Sequence, residues 1–465
     1  MVSASTHRVA TRPGVLAGPV AGKGPTRAHL AVRMVLLLGA VAVVALWWHD
    51  PVSLAGPGER VTAAGRLAGL LGAYLCLVQL LLMSRLGWFE RAVGFDRLAA
   101  WHSGLGTNTV VLLVVHVLLV VEGYALADHR GVAATAWRVV ATYPEMLKAV
   151  AGILLFLAIA VTSGRRMARA RLSYETWYAV HLGAYVAVAL AFFHQVAVGQ
   201  DFVGHPLNRL LWTGLYVLVA VLVVVGRLLT PVRDWWRHRL FVDRVVEESP
   251  GVVSVWMRGH RLDELGARPG QFLLWRFLAP GHVWSAHPYS LSAAPDGRFL
   301  RITVKDAGDH SGALAHLRHR TPVLAEGPFG HFTLDKSVGP RLLFIAGGSG
   351  IGPVRALAEE LMTRGTRRAR GVLLYRVGDR RDLALRTELD RLARRTGLEV
   401  HYLVGHRRDL GHDPLSASRL AAMVPDVRGR DVYVCGPAGM THHVLRSLRE
   451  LKVPVRQLHF EEFRL

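Results

Sequence analysis

Six apolar stretches follow one another through the first half of the chain, at about residues 30–48, 66–84, 101–121, 147–163, 176–198 and 207–229. Each is close to the ~20 residues that cross a bilayer as a helix. From about residue 236 the pattern changes. Short alternating segments such as FVDRVVEE, VVSVWMRG, GQFLLWRF and RFLRITVKD, separated by Gly/Pro turns, predict a small antiparallel β-barrel over 236–338. Residues 339–465 alternate strand-like and helix-like runs, from RLLFIAG and PVRALAEELMTR to DVYVCG and THHVLRSLRELK, which predicts a parallel α/β domain. The expected fold class is thus a membrane all-α six-helix bundle over 29–235, followed by an antiparallel β-barrel and a parallel α/β nucleotide-binding domain.

Composition agrees with that division. With 465 residues, 51% hydrophobic, 19% charged and a mean hydropathy of +0.28, a wholly soluble or disordered chain is excluded. Cys76 and Cys435 are the only cysteines, so no disulfide framework is expected. The net charge of +22 raises nucleic acid as a partner. However, 20 of the 56 basic residues lie in 1–235 between the apolar runs, and the rest are scattered without an aromatic-interleaved basic motif, so no nucleic-acid partner is expected. Arg85, Arg91 and Arg97 follow the second span, Arg165, Arg166, Arg169 and Arg171 the fourth, and Arg227, Arg233, Arg237 and Arg239 the sixth. Together with the basic N-terminal tail, this asymmetry puts both termini of a multi-pass cell-membrane protein in the cytoplasm. Residues 1–28, rich in Gly, Pro, Ala and Arg, are expected to be a retained, disordered tail rather than a signal peptide.

Histidines stand out within the spans. His102 and His116 lie on the third and His181 and His194 on the fifth, two helices that run in the same direction. Ionisable side chains are costly in a membrane and mark function. Spacings of 14 and 13 residues separate each pair by about 20 Å along a helix, so His102 shares a level with His181 and His116 with His194. Two facing imidazoles per level offer both axial ligands to one haem iron, an arrangement suited to electron transfer. On an ideal helix a spacing of 14 leaves side chains about 40° apart, but 13 leaves them about 140° apart. The fifth helix must therefore bend, twist or present its ligands to opposite edges.

The second half carries flavin- and nicotinamide-type features. In HPYS (287–290), His287 supplies a phosphate donor, Tyr289 a stacking face and Ser290 a hydroxyl for the flavin N5, with Pro288 between them. In GDHSGAL, Gly308 and Ser311 sit at a turn opening a helix, where free amides suit a pyrophosphate. Gly347, Gly348, Gly350 and Gly352 in FIAGGSGIGP allow close approach of a dinucleotide at a strand-to-helix turn. The G-x-G-x-x-G fingerprint is broken, because position 355 is Arg. The next strand ends in Tyr375-Arg376, and an arginine there favours the extra phosphate of NADPH over NADH. Cys435, with Gly436 and Pro437, ends a strand where its thiol would lie beside the nicotinamide.

Taken together, the 14/13 histidine spacings, HPYS, GGSGIGP, CGPAGM and the final HFEEF (459–463) resemble the ferric reductase and NADPH oxidase family of transmembrane flavocytochromes. The second half alone resembles the ferredoxin–NADP reductase superfamily. The resemblance implies an inner b-type haem on His102 and His181 and an outer one on His116 and His194. It implies FAD on His287–Ser290 with Gly308 and Ser311, and NAD(P)H on Gly347–Gly352, Arg376 and Cys435–Pro437. Ser290 and Cys435 would act at the reacting rings, and Phe463 would lie against the flavin. The expected enzyme passes electrons from NAD(P)H through FAD and two haems to an external acceptor, a ferric chelate or dioxygen. The alternative is a haem-free, membrane-anchored flavin reductase serving a partner protein. A transporter with a fused regulatory domain ranks last, since the spans lack paired carboxylates.

Overall fold

The computed structural model describes residues 14–15, 27–49, 55–164, 174–280, 282–283, 286–363 and 371–464. The disorder expected for residues 1–28 falls outside these, save for Gly14–Val15 and the first residues of the first helix, as does the arginine-rich loop at 165–173. The chain forms two compact units, one mainly Thr230–Leu465, the other Pro25–Val93 with Arg97–Leu229.

In the apolar unit the helices are α1 (Arg27–His49), α2 (Pro57–Leu82), α3 (Gly87–Val93), α4 (Phe95–Ala127), α5 (Val132–Thr142), α6 (Met146–Gly164), α7 (Tyr174–Val198) and α8 (Pro206–Val224). Six helical segments among the described residues are long and apolar enough to cross a membrane, the last running Pro206–His238 through a π-helical turn at Val225–Leu229. The protein is accordingly a multi-pass membrane protein. Leu37, Leu118, Leu154 and Leu210 are exposed, as lipid-facing side chains are. Helix α2 begins nine residues before the expected span, because Pro57 suits a first turn and Glu59 accepts the Gly56 N–H at 3.1 Å. Those charged first turns kept it out of the hydropathy pattern. Helix α5, at 11 residues, is too short to span and was not foreseen.

Helix α2 is the most buried of the six. Its small residues let α4 approach: a methyl group added at Gly65 would meet Val120 within 3.0 Å, and one at Gly58 the Ala127 backbone at 2.7 Å. Without a hydrophobic drive between helices in lipid, such close backbone packing is the main adhesive. On the other side Gly152 of α6 packs on Ala187 and Ala191 of α7. Both histidine-bearing helices are thereby held in the bundle.

In the second unit, α9 (Thr230–His238) leads into β1 (Phe241–Ser249), which with β2 (Val252–Arg258) and β5 (Phe299–Lys305) forms one antiparallel sheet; β3 (Phe272–Phe277), β4 (His287–Ser290) and β6 (Val323–Phe329) form another. They enclose a core that includes Val255, Met257, Leu273, Trp275, Phe277 and Ile302. The continuous barrel that was expected does not close among the described residues. Single bridges, Phe241 to Pro322 and Leu291 to Ile302, join the sheet edges where a barrel would have ladders. Pro322 has no N–H to extend one edge, and the β1 and β3 ladders are broken by bulges.

The rest is a sheet whose five parallel strands, β7 (Leu342–Gly347), β8 (Gly371–Val377), β9 (Glu399–Val404), β10 (Asp431–Pro437) and β11 (Leu458–Arg464), lie in the order β11-β10-β7-β8-β9, as the alternating pattern indicated, with the short strand Gly14–Val15 added antiparallel at the β11 edge. Helices α10 (Ile351–Thr363) and α11 (Arg386–Thr396) cover one face; α12 (Ala417–Met423) and α13 (Ala438–Glu450) cover the other. The strand order reverses between β7 and β10, where the Gly-rich loop and CGP emerge side by side, the usual crevice of such folds.

Candidate functional site

The four membrane histidines meet in the expected pairs. His102 and His181 have ring centroids 5.8 Å apart, His116 and His194 6.4 Å apart. Two metal–imidazole bonds of about 2 Å, each with about 1 Å from nitrogen to ring centre, put the centroids about 6 Å apart, so both pairs fit one ion between them. His116 Nδ1 lies 2.8 Å from the Gly65 carbonyl and His102 Nδ1 3.4 Å from that of Gln79. A carbonyl only accepts, so Nδ1 carries the proton and Nε2 is the bare nitrogen a metal requires. His181 Nδ1 is buried without a hydrogen-bond partner. Helix α7 is uninterrupted from Tyr174 to Val198. Its histidines therefore reach their partners from different faces of one helix, and His181 stacks on Trp177 at 5.1 Å.

Space has been left at the second pair. A methyl group at Gly69 would sit 2.5 Å from His116 Nδ1. A cavity of about 290 Å³ is lined by His116, His194, Val117, Val140, Tyr124 and Tyr143. Beside it Gln195 is fixed by accepting from Trp212 Nε1 at 2.8 Å and from the Tyr216 hydroxyl at 3.1 Å. Arg66, also on the wall, donates to Asp201 at 2.6 Å. Among the described residues no group of three or more His, Cys, Asp or Glu could hold an ion alone. Each pair instead presents two imidazoles that face one another.

In the soluble unit, β4 carries HPYS opposite Phe272–Trp275 of β3. His287 and Ser290 are buried, and Tyr289 is half-buried with its ring 6.4 Å from His287. The Tyr289 hydroxyl and Ser290 Oγ are buried without partners, so both are available to a bound group. Burial pushes the Tyr289 phenol up, keeping it a neutral donor. Gly308 takes φ +144°, opening a five-residue helical turn at Asp309–Ala313. The Ser311 hydroxyl donates to Gly308 O at 3.0 Å and accepts from the Ala307 N–H at 2.8 Å. It staples the turn rather than offering its proton outward.

The Gly-rich loop divides its work. A methyl group at Gly350 would lie 2.2 Å from the Cys435 carbonyl, and one at Gly347 2.4 Å from Met440 Sδ. These two glycines let the loop pack against CGP. Gly348, at φ +53° with open space around its Cα, is the one free to receive a ligand. Gly352 lies against Ser292, and Gly436 against Met440. Cys435 is wholly buried in the sheet core. Burial, and then the neighbouring Glu461, push its thiol well above the ordinary range, so it is a neutral group. Glu461, in register with Cys435 and 1% exposed, was missed from the sequence. Two adjacent acids between Phe460 and Phe463 of the final strand were the available signal. Phe463 pairs with Pro437 in the backbone register; its side chain lies outside the described residues.

Arg376 ends β8 as expected, but its Nη1 donates to the carbonyls of Leu403, at 2.9 Å, and Val377. Burial and the nearby charge of Arg407 lower its pKa. Arg407, at the tip of the adjacent strand and paired to Asp413 at 2.9 Å, is a further cation at this corner that the sequence reading passed over.

Residues 68–192 match the family model described as ferric reductase like transmembrane component, and residues 344–446 the oxidoreductase NAD-binding domain. The chain is 30% identical over 251 residues to a flavohemoprotein of Halalkalibacterium halodurans, covering 49% of this chain and 60% of that one. It is 34% identical over 239 residues to a flavohemoprotein of Chromobacterium violaceum, covering 46% and 58%. It is 31% identical over 209 residues to the ferredoxin reductase component of 3-ketosteroid-9-alpha-monooxygenase from Mycolicibacterium smegmatis, covering 43% and 57%. The chain thus spans about 60% of the length of these curated relatives. It carries a segment similar to a ferric-reductase-like transmembrane component, followed by one similar to an oxidoreductase NAD-binding domain.

Proposed function

We propose that this chain carries electrons from NAD(P)H through FAD and two b-type haems across the membrane to an external acceptor, a ferric chelate or dioxygen. The observation that carries this reading is the facing of His102 with His181 and His116 with His194 at 5.8 and 6.4 Å, with Nδ1 of His116 committed to a carbonyl. When bound, a flavin takes two electrons as hydride and passes them on singly, and a bis-histidine haem takes one at a time.

The residues supply the settings for that chemistry. His102 with His181 and His116 with His194 would each hold one haem through two imidazoles, which would supply one-electron transfer to an acceptor that does not bind the metal. Tyr289 and Ser290 present unpaired hydroxyls to the flavin, with His287 and Pro288 on the same strand and Gly308 at a nearby turn. Gly348 admits the dinucleotide phosphates between Gly347 and Gly350, and Gly436 and Pro437 form the facing wall. Cys435 and Glu461 bound the nicotinamide end with a neutral thiol and a buried acid. Arg376 and Arg407 favour NADPH. In this reading 29–235 is the haem domain, 236–338 the FAD domain and 339–465 the NAD(P)H domain, with both termini cytoplasmic.

The test is an absorption spectrum of the purified chain under argon. Two haems per chain and their reduction by NADPH are the expected result. Flavin absorbance with no Soret band would establish the haem-free alternative instead. Ferrous chelate formation against superoxide-dependent cytochrome reduction in vesicles separates the two acceptors.

A further inference from the structure

Arg355 stands where a dinucleotide fingerprint has its third glycine, and its surroundings give it a different task. It lies in the first turns of α10, 8% exposed. Its Nη1 donates to the carbonyl of Ser292, two residues beyond HPYS, at 3.3 Å. It pairs with Glu359 on its own helix, and its Nε lies 2.9 Å from Glu388 Oε2 on α11. The same Glu388 carboxylate accepts from Arg301 Nη1 of β5 at 2.9 and 3.0 Å. The Arg301 side chain is completely buried. It also donates to Ser292 Oγ at 3.1 Å and to Ser292 O at 2.6 Å, and lies over Trp256 at 4.9 Å. Glu359 reaches back to accept the Ala294 N–H at 2.7 Å.

The flavin-side lobe therefore contributes Arg301, Ser292 and Ala294, and the nucleotide-side lobe Arg355, Glu359 and Glu388. An ion cluster with buried guanidinium groups is a poor source of stability, since desolvation cancels most of the attraction. It does enforce one placement, because the fully buried Arg301 meets the Glu388 carboxylate, and Arg355 and Glu359 meet the Ser292 carbonyl and the Ala294 N–H, only when the lobes are seated. The contact is close: a methyl group on Gly352 would lie 3.3 Å from Ser292 Cβ. We infer that Glu388, clamping Arg301 and Arg355, is a positioning residue that fixes the Gly-rich loop relative to the HPYS strand for hydride transfer. In that step two electrons and a proton leave the nicotinamide ring for the flavin, giving NADP⁺ and reduced flavin. The inference rests on the reductase reading above.

The test uses the full chain in lipid nanodiscs, with Glu388→Gln beside the unmodified protein. Anaerobic single-turnover reduction of the flavin by NADPH should slow by about 10-fold or more, the size of effect expected from lost alignment. Half-saturation by NADPH should change by less than about 3-fold, as uniform binding is retained. The nicotinamide–flavin charge-transfer absorbance should weaken. Spin labels at Arg298→Cys and Arg394→Cys, exposed sites on the two lobes, should show a broadened distance distribution, a readout that needs no turnover. Glu388→Asp should recover part of each. Unchanged reduction, or slowed reduction with unchanged label distances and charge-transfer band, would overturn the clamp. Should Glu388→Gln fail to fold, Arg355→Gln leaves the Arg301–Glu388 pair in place and carries the same readouts. If NADPH cannot reduce the unmodified chain at all, the reductase reading fails, not the clamp alone.

Discussion

The membrane unit and the reductase unit assemble their sites by different rules. In the bilayer every backbone group must be satisfied within its own helix, so residue spacing converts directly into position. Four histidines and two intervals were enough to place two facing pairs. In the reductase unit the site lies on turns between strands and helices, and a side chain's place depends on what packs behind it. The glycines and Cys435 are the clearest case: much of what resembles a ligand-binding motif there is one loop fitted against another.

The contrast is sharpest at the histidines, where the largest effect is expected. His194→Leu should reduce the haem content from two to one per chain and abolish reduction of an impermeant external acceptor. NADPH reduction of the flavin should stay within about 2-fold, because that step lies in a separate unit. A His194→Leu chain that still holds both haems and reduces the external acceptor at the unmodified rate would break the two-level reading.

Next comes the support behind His116. Gly69→Ala places a methyl 2.5 Å from His116 Nδ1 and forces the ring to move. Substitutions behind a metal-ligating histidine typically cost about 10- to 100-fold in affinity. Loss of the outer haem with the inner one retained, read from redox titration of the two centres, is the expected outcome. Equal loss of both would mean that the helix α2–α4 contact, rather than the ring, had failed.

How far the sequence could be read follows the same division. The six spans, the histidine pairs, the parallel sheet and the two loops at its crossover were visible in hydropathy and spacing. Helix α5 was not, because 11 residues cannot span and an amphipathic segment between spans reads as loop. Barrel closure failed at Pro322 and at bulges, which strand alternation does not register. Arg355 was visible only as a missing glycine. Its function depends on Glu388 and Arg301, 33 and 54 residues away in the chain, which no local pattern brings together. Glu461 escaped for the same reason: only the β10–β11 register sets it beside Cys435.

The division of labour among the glycines gives a smaller effect. Gly350→Ala would drive a methyl into the Cys435 carbonyl at 2.2 Å, a backbone contact that cannot swing aside. Overpacking of that kind costs about 1–3 kcal/mol. Gly348→Ala meets only its own left-handed backbone, at about 1–2 kcal/mol. Thermal release of flavin should therefore come earlier in Gly350→Ala, whereas Gly348→Ala should lose NADPH affinity more than stability. The reverse order would mean that Gly350, not Gly348, faces the dinucleotide.

The smallest effect is a matter of pH. Burial and Glu461 hold the Cys435 thiol protonated well above its ordinary value of 9.0. The folded state therefore keeps this proton at alkaline pH while the unfolded chain releases it. Stability from the neutral thiol is complete below about pH 8 and declines as pH rises through the unfolded value, by at most about 1.4 kcal/mol per pH unit. Cys435→Ala removes the linkage, at a constant cost for the lost packing. The difference in unfolding temperature between the two proteins should be flat from pH 6 to 8 and narrow from pH 9 to 10. Flavin reduction should likewise show no thiol-dependent change between pH 6 and 8. A Cys435-dependent step in either profile near neutrality would mean that the thiolate forms in the folded protein, and that the cysteine acts at the nicotinamide as an ionised group rather than as a neutral wall.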